Sequence, residues 1–348
     1  MKRLACVIMH PSLGESPGEQ LVQQGREAST IDLVRTLGKA GIERIVLLTP
    51  SSPFADRLAF CGVTLNATTD EPRFHFGRAL KHVIAEQSLD GLIYFGSGTG
   101  GLLTAEQMKT LVQFASRAGP GALFNNFYSC DFCAIAGAKG LLAIDLPEID
   151  NRLGFCLADS GIPSFSLPRE AATQFDIDTP TDLSLLAAAR RGGVAMRAFL
   201  AAKLRPYPPL GELLDLLTDR SAHLTLIGRV NPITWAHLEG RIACRTSVYS
   251  EGRGMRAYPA EKSLCREPLL AATITETKSG PFFERLIRAT DAVVIDTRPL
   301  LSVAGPLPQA ADRFRSDLLQ PDLITDPLWA GFTRAATDVQ IPIILGGH

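Results

Sequence analysis

The sequence predicts an α/β protein: a doubly wound, mostly parallel sheet followed by a second, smaller α/β domain. Three observations carry that expectation. Apolar runs are too continuous for half-exposed strands, amphipathic stretches alternate with them, and the chain is 348 residues long. Continuous apolar strands belong to parallel sheets covered on both faces. A chain of this length exceeds what one core usually supports, so two domains are expected, 1–205 and 206–348.

The first strand is the apolar run LACVIMH near the amino terminus, which ends in a polar loop from Pro11 to about Gly25. IDLVRTLGKAGI then places Ile31, Val34, Leu37 and Ile42 close to helical period, with Gly41 positioned as a C-cap. RIVLLT at 44–49 is a second buried strand, stopped by Pro50. FGRALKHVIAEQSLDG is an amphipathic helix through Phe76, Leu80, Val83 and Ile84, and LIYF at 92–95 is the next strand. Thr104 can cap the helix AEQMKTLVQFASRAG, with Gln107 completing a capping box. ALFNNFYSCDFCAIAG resumes strand character, and GIPSFSL is a further short extended piece. Leu183 to Leu204 reads as one Ala-rich closing helix and PYPPLG at 206–211 as a linker. The alternation then restarts with strand HLTLIGRV, a helix from near Pro232, and strand TSVYS. Helices around 265–290, strand AVVIDT and strand IPIILGG complete it. The chain stops hard against that last strand, as a chain lacking residues downstream would.

Composition narrows the function classes. A formal net charge of -1 offers no field for a polyanion, so no nucleic-acid partner is expected. No run approaches the roughly 20 apolar residues of a spanning helix. The amino-terminal apolar stretch is too short for a secretory segment. Seven Cys, an odd number, suit a reducing compartment better than a disulfide framework. The expectation is a soluble, cytoplasmic protein without a membrane partner.

Phe175-Asp176-Ile177-Asp178-Thr179-Pro180-Thr181-Asp182-Leu183 is the most informative segment. Carboxylates at alternate positions of an extended stretch, Asp176 and Asp178, can share a hard cation such as Mg²⁺. Alternatively, Asp178 and Asp182 are capping and first-turn charges of a helix that Thr179 caps and Pro180 begins. Gly96-Ser97-Gly98-Thr99-Gly100-Gly101 matches G-x-G-x-x-G between a strand and a helix. Such a loop can contact a phosphate or sugar-nucleotide, or it can be a plain crossover; a dinucleotide fingerprint belongs in the first βα unit, with an acid about 20 positions on.

Asn125 and Asn126 end another strand, where polar groups either border a ligand crevice or close a turn. Cys130 and Cys133 form a lone C-x-x-C without a second pair, which suits buried thiols. His10 ends the first strand at the mouth of the same crevice, as a ligand contact or as a hydrogen-bonded loop His. No zincin pattern and no G-x-S-x-G elbow occurs. In the second domain Arg229 and Arg253 each neighbour Gly at a strand end, with Lys262 nearby. They present guanidinium groups to phosphate or carboxylate, or are surface charges. Asp296-Thr297-Arg298 is a similar strand-end cluster.

FDIDTPTDL resembles the D-x-DTPxDL signature of MobA-like and phospholactate-guanylyltransferase-like enzymes, which are GT-A-type nucleotidyltransferases. IDLVRTLGKAGIERIVLLT resembles their helix–strand segment, and Leu102, Leu103, Thr104 and Glu106 their later LLT-x-E run. The likeness covers approximately residues 3–190. It implies a nucleotidyltransferase-like or nucleotide-sugar-using transferase, Mg-assisted, acting in a cleft between two lobes. Asp176 and Asp178 would hold the metal; Arg26 and the 96–101 loop would touch phosphates, with Arg229 and Arg253 closing over them. The chain departs from the family twice. The first loop disperses Gly14, Gly18 and Gly25 with only Arg26 as a cation, and no carboxylate follows Phe95. A non-catalytic descendant, serving as a ligand-binding or assembly module, is the alternative.

Overall fold

The computed structural model describes residues 2–58, 63–67, 74–253, 268–301 and 308–347, and lays the apolar runs into two separate sheets. The chain divides into two units. One holds Met1–Ser12, Gln24–Ile177 and Gly192–Ala198; the other holds Leu13–Gln23, Asp178–Arg191 and Phe199–His348. The long first helix, Pro17–Lys39, therefore has residues in both.

In the first unit β1 is Leu4–Met9, β2 Ile45–Thr49, β3 Val63–Ala67 and β4 Gly91–Gly96. β5 is Gly121–Phe124, β6 Phe132–Ala136 and β7 Ser164–Ser166. The seven-stranded order is β3-β2-β1-β4-β6-β5-β7. β6 runs antiparallel to both β4 and β5, and the other pairs are parallel. Alternate residues serve opposite faces. Val7, Met9, Leu92 and Tyr94 bury against Phe76, Leu80 and Ile84 of the helix Phe76–Gln87. Cys6, Ile8, Ile93 and Phe95 bury against Leu33 and Leu37 of the first helix and Leu111 of Ala105–Ser116. A leucine fully withdrawn from water, such as Leu80, contributes roughly 2 kcal/mol.

The second unit contains β8 (His223–Gly228), β9 (Arg245–Ser250), β10 (Ala292–Asp296) and β11 (Ile343–Gly346). Their order is β11-β10-β8-β9, with every neighbouring pair parallel. Val293, Ile295 and Leu345 pack on Trp329 and Phe332 on one face, while Leu224, Ala292 and Ile344 pack on Leu210 and Leu213 on the other. Both units are thus α/β layers with a parallel core. No helix among the described residues is long and apolar enough to cross a membrane.

Four local expectations are corrected. ALFNNFYSCDFCAIAG is two strands, because the Asn125 side chain accepts from the amides of Asp131 and Phe132 and folds the chain back. The Ala-rich stretch is two helices, Pro180–Ala188 and Val194–Lys203, separated where Arg190 (φ 50°) and Gly192 (φ 105°) turn left-handed. PYPPLG enters a helix, Pro208–Leu216, since proline in a first turn has no needed N–H to lose. Helices Ala310–Asp317 and Pro327–Thr337 and strand β3 lie outside what the periodicity showed. Thr104 and Gln107 do form their capping box.

The restart of the second of those two helices has a specific cause. Ala195 and Met196 donate their amides to the buried Asp32 carboxylate at 3.0 and 2.9 Å. Asp32→Ala removes an N-terminal cap and is expected to cost about 1 kcal/mol, read as a lower urea midpoint. An unchanged midpoint contradicts the capping role.

Candidate functional site

Where the connections of adjacent parallel strands leave in opposite directions, a crevice opens beyond their carboxyl ends. The order β3-β2-β1-β4 puts that point between β1 and β4. His10 follows β1 and Ser97 follows β4. They meet there, with Nδ1 and Oγ 2.6 Å apart. His10 is fully buried, its ring centroid 4.5 Å from that of Phe54. Burial first, and the Arg26 charge second, lower its pKa to about 4, so the imidazole is neutral near pH 7.

The turn after Ser97 brings in three expected residues. Gly98 is left-handed (φ +93°). A Cβ on it would stand 2.8 Å from Asp176 Oδ1, 3.1 Å from the Ile177 carbonyl oxygen and 3.3 Å from Arg26 Cγ. Arg26 Nε donates to that same carbonyl at 2.6 Å, and the Ile177 amide donates to Asp176 Oδ1 at 2.7 Å. A guanidinium and a carboxylate therefore flank a turn that tolerates no side chain. The rest of the turn is close-packed. Thr99 Oγ1 donates to the Gly96 carbonyl at 2.8 Å, and a Cβ on Gly100 would come within 2.6 Å of the Phe95 ring. Ser97 and Thr99 are buried.

An unforeseen residue stands at the opposite side of β4. Tyr94 donates its hydroxyl to Asp150 Oδ2 at 2.6 Å, and that oxygen lies 3.8 Å from where a Cβ of Gly96 would be. Burial, then the Asp150 charge, hold the Tyr94 phenol well above its usual range. The Gly96 amide donates to the Asp131 carbonyl at 2.8 Å. Asp150 thus brings a carboxylate to a strand end whose own sequence has none. Asp150 begins a short 3-10 helix, Asp150–Arg152, 54 positions beyond Gly96 and outside any motif, so no spacing signalled it.

Other expected residues have structural partners. Buried Asn125 accepts from Asp131 N and Phe132 N, and donates to Asp131 Oδ2 at 2.8 Å and the Thr173 carbonyl at 3.2 Å. Asn126 Oδ1 accepts from Arg169 Nη2 at 2.9 Å. Cys130 and Cys133 are buried, and burial foremost raises the Cys130 thiol.

In the second unit, the Asp178 and Thr179 amides both donate to Asp182 Oδ2, at 2.9 and 2.7 Å, in a helix-start capping box. Burial, then the Asp178 charge, push the Asp182 carboxyl up to about 7 despite those donors. Arg229 pairs with Asp296 at 2.6 Å, and Arg253 is exposed after β9. Lys262 lies outside the described residues. Among the described residues no three His, Cys, Asp or Glu side chains gather into a group able to hold a metal ion.

No protein-family model and no curated protein sequence matches the chain. Several solved structures show a distant likeness to part of the chain. A cytidylyltransferase from Leptospira borgpetersenii serovar Hardjo-bovis is 12% identical over 58% of this chain and 94% of its own, with a TM-score of 0.42. A CMP:2-keto-3-deoxy-manno-octonic acid synthetase complexed with CTP is 14% identical over 58% of this chain and 100% of its own, at 0.36. Glucosyl-3-phosphoglycerate synthase from Mycobacterium tuberculosis, with Mn²⁺, UDP and glucosyl-3-phosphoglycerate, is 13% identical over 57% of this chain and 80% of its own, also at 0.36. Likenesses of this size carry neither substrate nor metal across.

The His10 pKa makes a signed prediction. From about pH 6.5 down to 4 the unfolded chain binds a proton that the native chain refuses, so stability falls as pH falls through that window. The loss is about 3 kcal/mol on the usual conversion. Asp182 acts oppositely: its raised pKa adds stability at low pH that is lost as pH rises through about 7. The difference between the wild-type and His10→Gln urea curves isolates the His10 part. A constant difference from pH 4 to 7 contradicts the buried neutral imidazole.

Proposed function

We propose that the first unit is a nucleotidyltransferase-like or nucleotide-sugar-using transferase domain that binds its nucleotide over the carboxyl ends of β1 and β4. One observation carries the reading: Arg26, Gly98 and Asp176 meet at the change of strand direction, beside the His10–Ser97 pair. Phosphoryl-type transfer asks mainly for positioning and charge neutralisation. Arg26 supplies positive charge for the phosphates. The Gly98 turn keeps bulk out of their path, and neutral His10 fixes Ser97 without adding charge. Asp150 orients the acceptor or leaving group from the Gly96 side.

Mg²⁺ takes hard oxygen donors, commonly one or two carboxylates with substrate phosphates completing its shell. Asp176 fits that part at Gly98, whereas the described residues do not form a cation site by themselves. The fit is to a cation shared with the substrate, held on the protein side by Asp176. When bound, such an ion neutralises phosphate charge as it develops. The Asp178 half of the expected pair has its charge beside Asp182 at a helix start.

A second reading, a ligand-binding module without turnover, draws on the close packing of the 97–100 turn. Thermal shifts with nucleoside triphosphates and nucleotide-sugars, with and without Mg²⁺, test both. A Mg²⁺-dependent rise in Tm that weakens tenfold or more in apparent Kd for Asp176→Asn, and likewise for Arg26→Gln, is expected. No response to any nucleotide, or a response indifferent to both substitutions, contradicts the proposal. Binding without release of pyrophosphate or nucleoside diphosphate across acceptor classes selects the binding module.

A further inference from the structure

The second sheet has its own change of direction. In the unit's own count, β11-β10-β8-β9 is the order 4-3-1-2, so the connections reverse between the first strand, β8, and the third, β10. That is the crevice position in doubly wound sheets generally. The two strand-end clusters noted in the sequence, Gly228-Arg229 and Asp296-Thr297-Arg298, converge there although 67 positions separate Arg229 from Asp296.

The convergence is constructed from several sides. Arg229 Nε and Nη2 donate to the two Asp296 carboxylate oxygens at 2.6 and 3.1 Å. The Arg229 amide adds a bond to Asp296 Oδ2 at 3.0 Å, and the Arg298 amide one to Oδ1 at 3.1 Å. Arg229 Nη2 also donates to the Gly347 carbonyl at the end of β11. Gly228 is left-handed (φ +118°), and a Cβ on it would collide with Asp296 Cβ at 2.5 Å. Thr297, fully buried, donates its amide and hydroxyl to the Gly346 carbonyl at 2.8 and 3.0 Å.

Asp296 grips one edge of the guanidinium, through Nε and Nη2, so the planar fork is fixed in direction. The hydrogen bonds of that grip leave Nη1 uncommitted among the described residues. Asp296 thus holds the Arg229 guanidinium and the Arg298 backbone amide together at this point, and the side chain of Arg229 remains about a quarter exposed (28%). A purely structural ion pair does not require the change of strand direction or a strand end closed to any side chain at Gly228. Fixed guanidinium forks favour phosphate oxygens over dispersed anions.

We propose that the second unit holds an anion site of its own at the carboxyl ends of β8 and β10, anchored by Arg229 and made for a small molecule bearing a phosphate group. It is independent of the nucleotide site proposed for the first unit.

The test is calorimetric titration of the full chain with inorganic pyrophosphate, in a background carrying Arg26→Gln and Asp176→Asn to silence the first unit. Saturable binding persists in that background. It weakens at least tenfold with Arg229→Lys, which keeps the charge but loses the fork. It disappears with Arg229→Gln paired with Asp296→Asn, a pair that leaves no unpartnered charge. Loss of all binding in the silenced background assigns the anion to the first unit and overturns the proposal. Unaltered affinity after the Arg229 and Asp296 changes also overturns it. Should those variants fail to fold, amide shifts of the unsubstituted chain decide. The Arg229, Thr297 and Arg298 amides move together with added pyrophosphate, and their standing still at saturation overturns the proposal.

Discussion

Between the ends of β1 and β4 a histidine and a serine share one buried hydrogen bond, and what is proposed for the first unit depends on it. His10 is withdrawn from water entirely, so the bond acts in a low-dielectric setting where an unpartnered imidazole is costly. Burial and the nearby Arg26 both favour the neutral ring. The effect is large enough to decide the charge state: a pKa about 4 leaves well under one ring in a hundred protonated at pH 7. Positive charge at this point therefore belongs to Arg26 rather than to a flickering imidazolium. With Ser97 anchored, Gly98 turns left-handed directly beside Arg26 and Asp176.

Glycine plays a different part here from the one its spacing suggests. A G-x-G-x-x-G loop reads as a phosphate cradle, yet Gly100 is held against Phe95 and Gly98 against Asp176. Close approach between a turn and its neighbours uses the absence of a Cβ as fully as an anion would. In the proposed function, substrate contact in the first unit therefore falls to side chains brought to the turn, chiefly Arg26 and Asp176, with Asp150 on the Gly96 side.

The sheet-forming runs were legible because parallel, doubly covered strands leave an unbroken apolar signature, as in IVLLT and AVVID. Helix starts with a chemical marker were legible too, notably Thr104 with Gln107. What spacing could not show was long-range pairing. Asp32 restarts a helix from 163 positions away, and Asp150 reaches Gly96 from the start of a 3-10 helix that carries no motif. Nor could it separate the roles of neighbouring acids. Asp176 stands at the Gly98 turn, whereas Asp182 takes the amides of a helix start. Arg229 and Asp296 each stood out as strand-end residues; only the strand order explains why they meet.

The most direct check on the Gly98 turn as a phosphate-binding centre is a crystal structure of the full chain grown with a nucleoside diphosphate and Mg²⁺. The account predicts phosphate oxygens within hydrogen-bonding distance of the Arg26 guanidinium and Asp176 beside the cation they share. A nucleotide bound elsewhere, with Arg26 still on the Ile177 carbonyl and no ligand near Gly98, contradicts it.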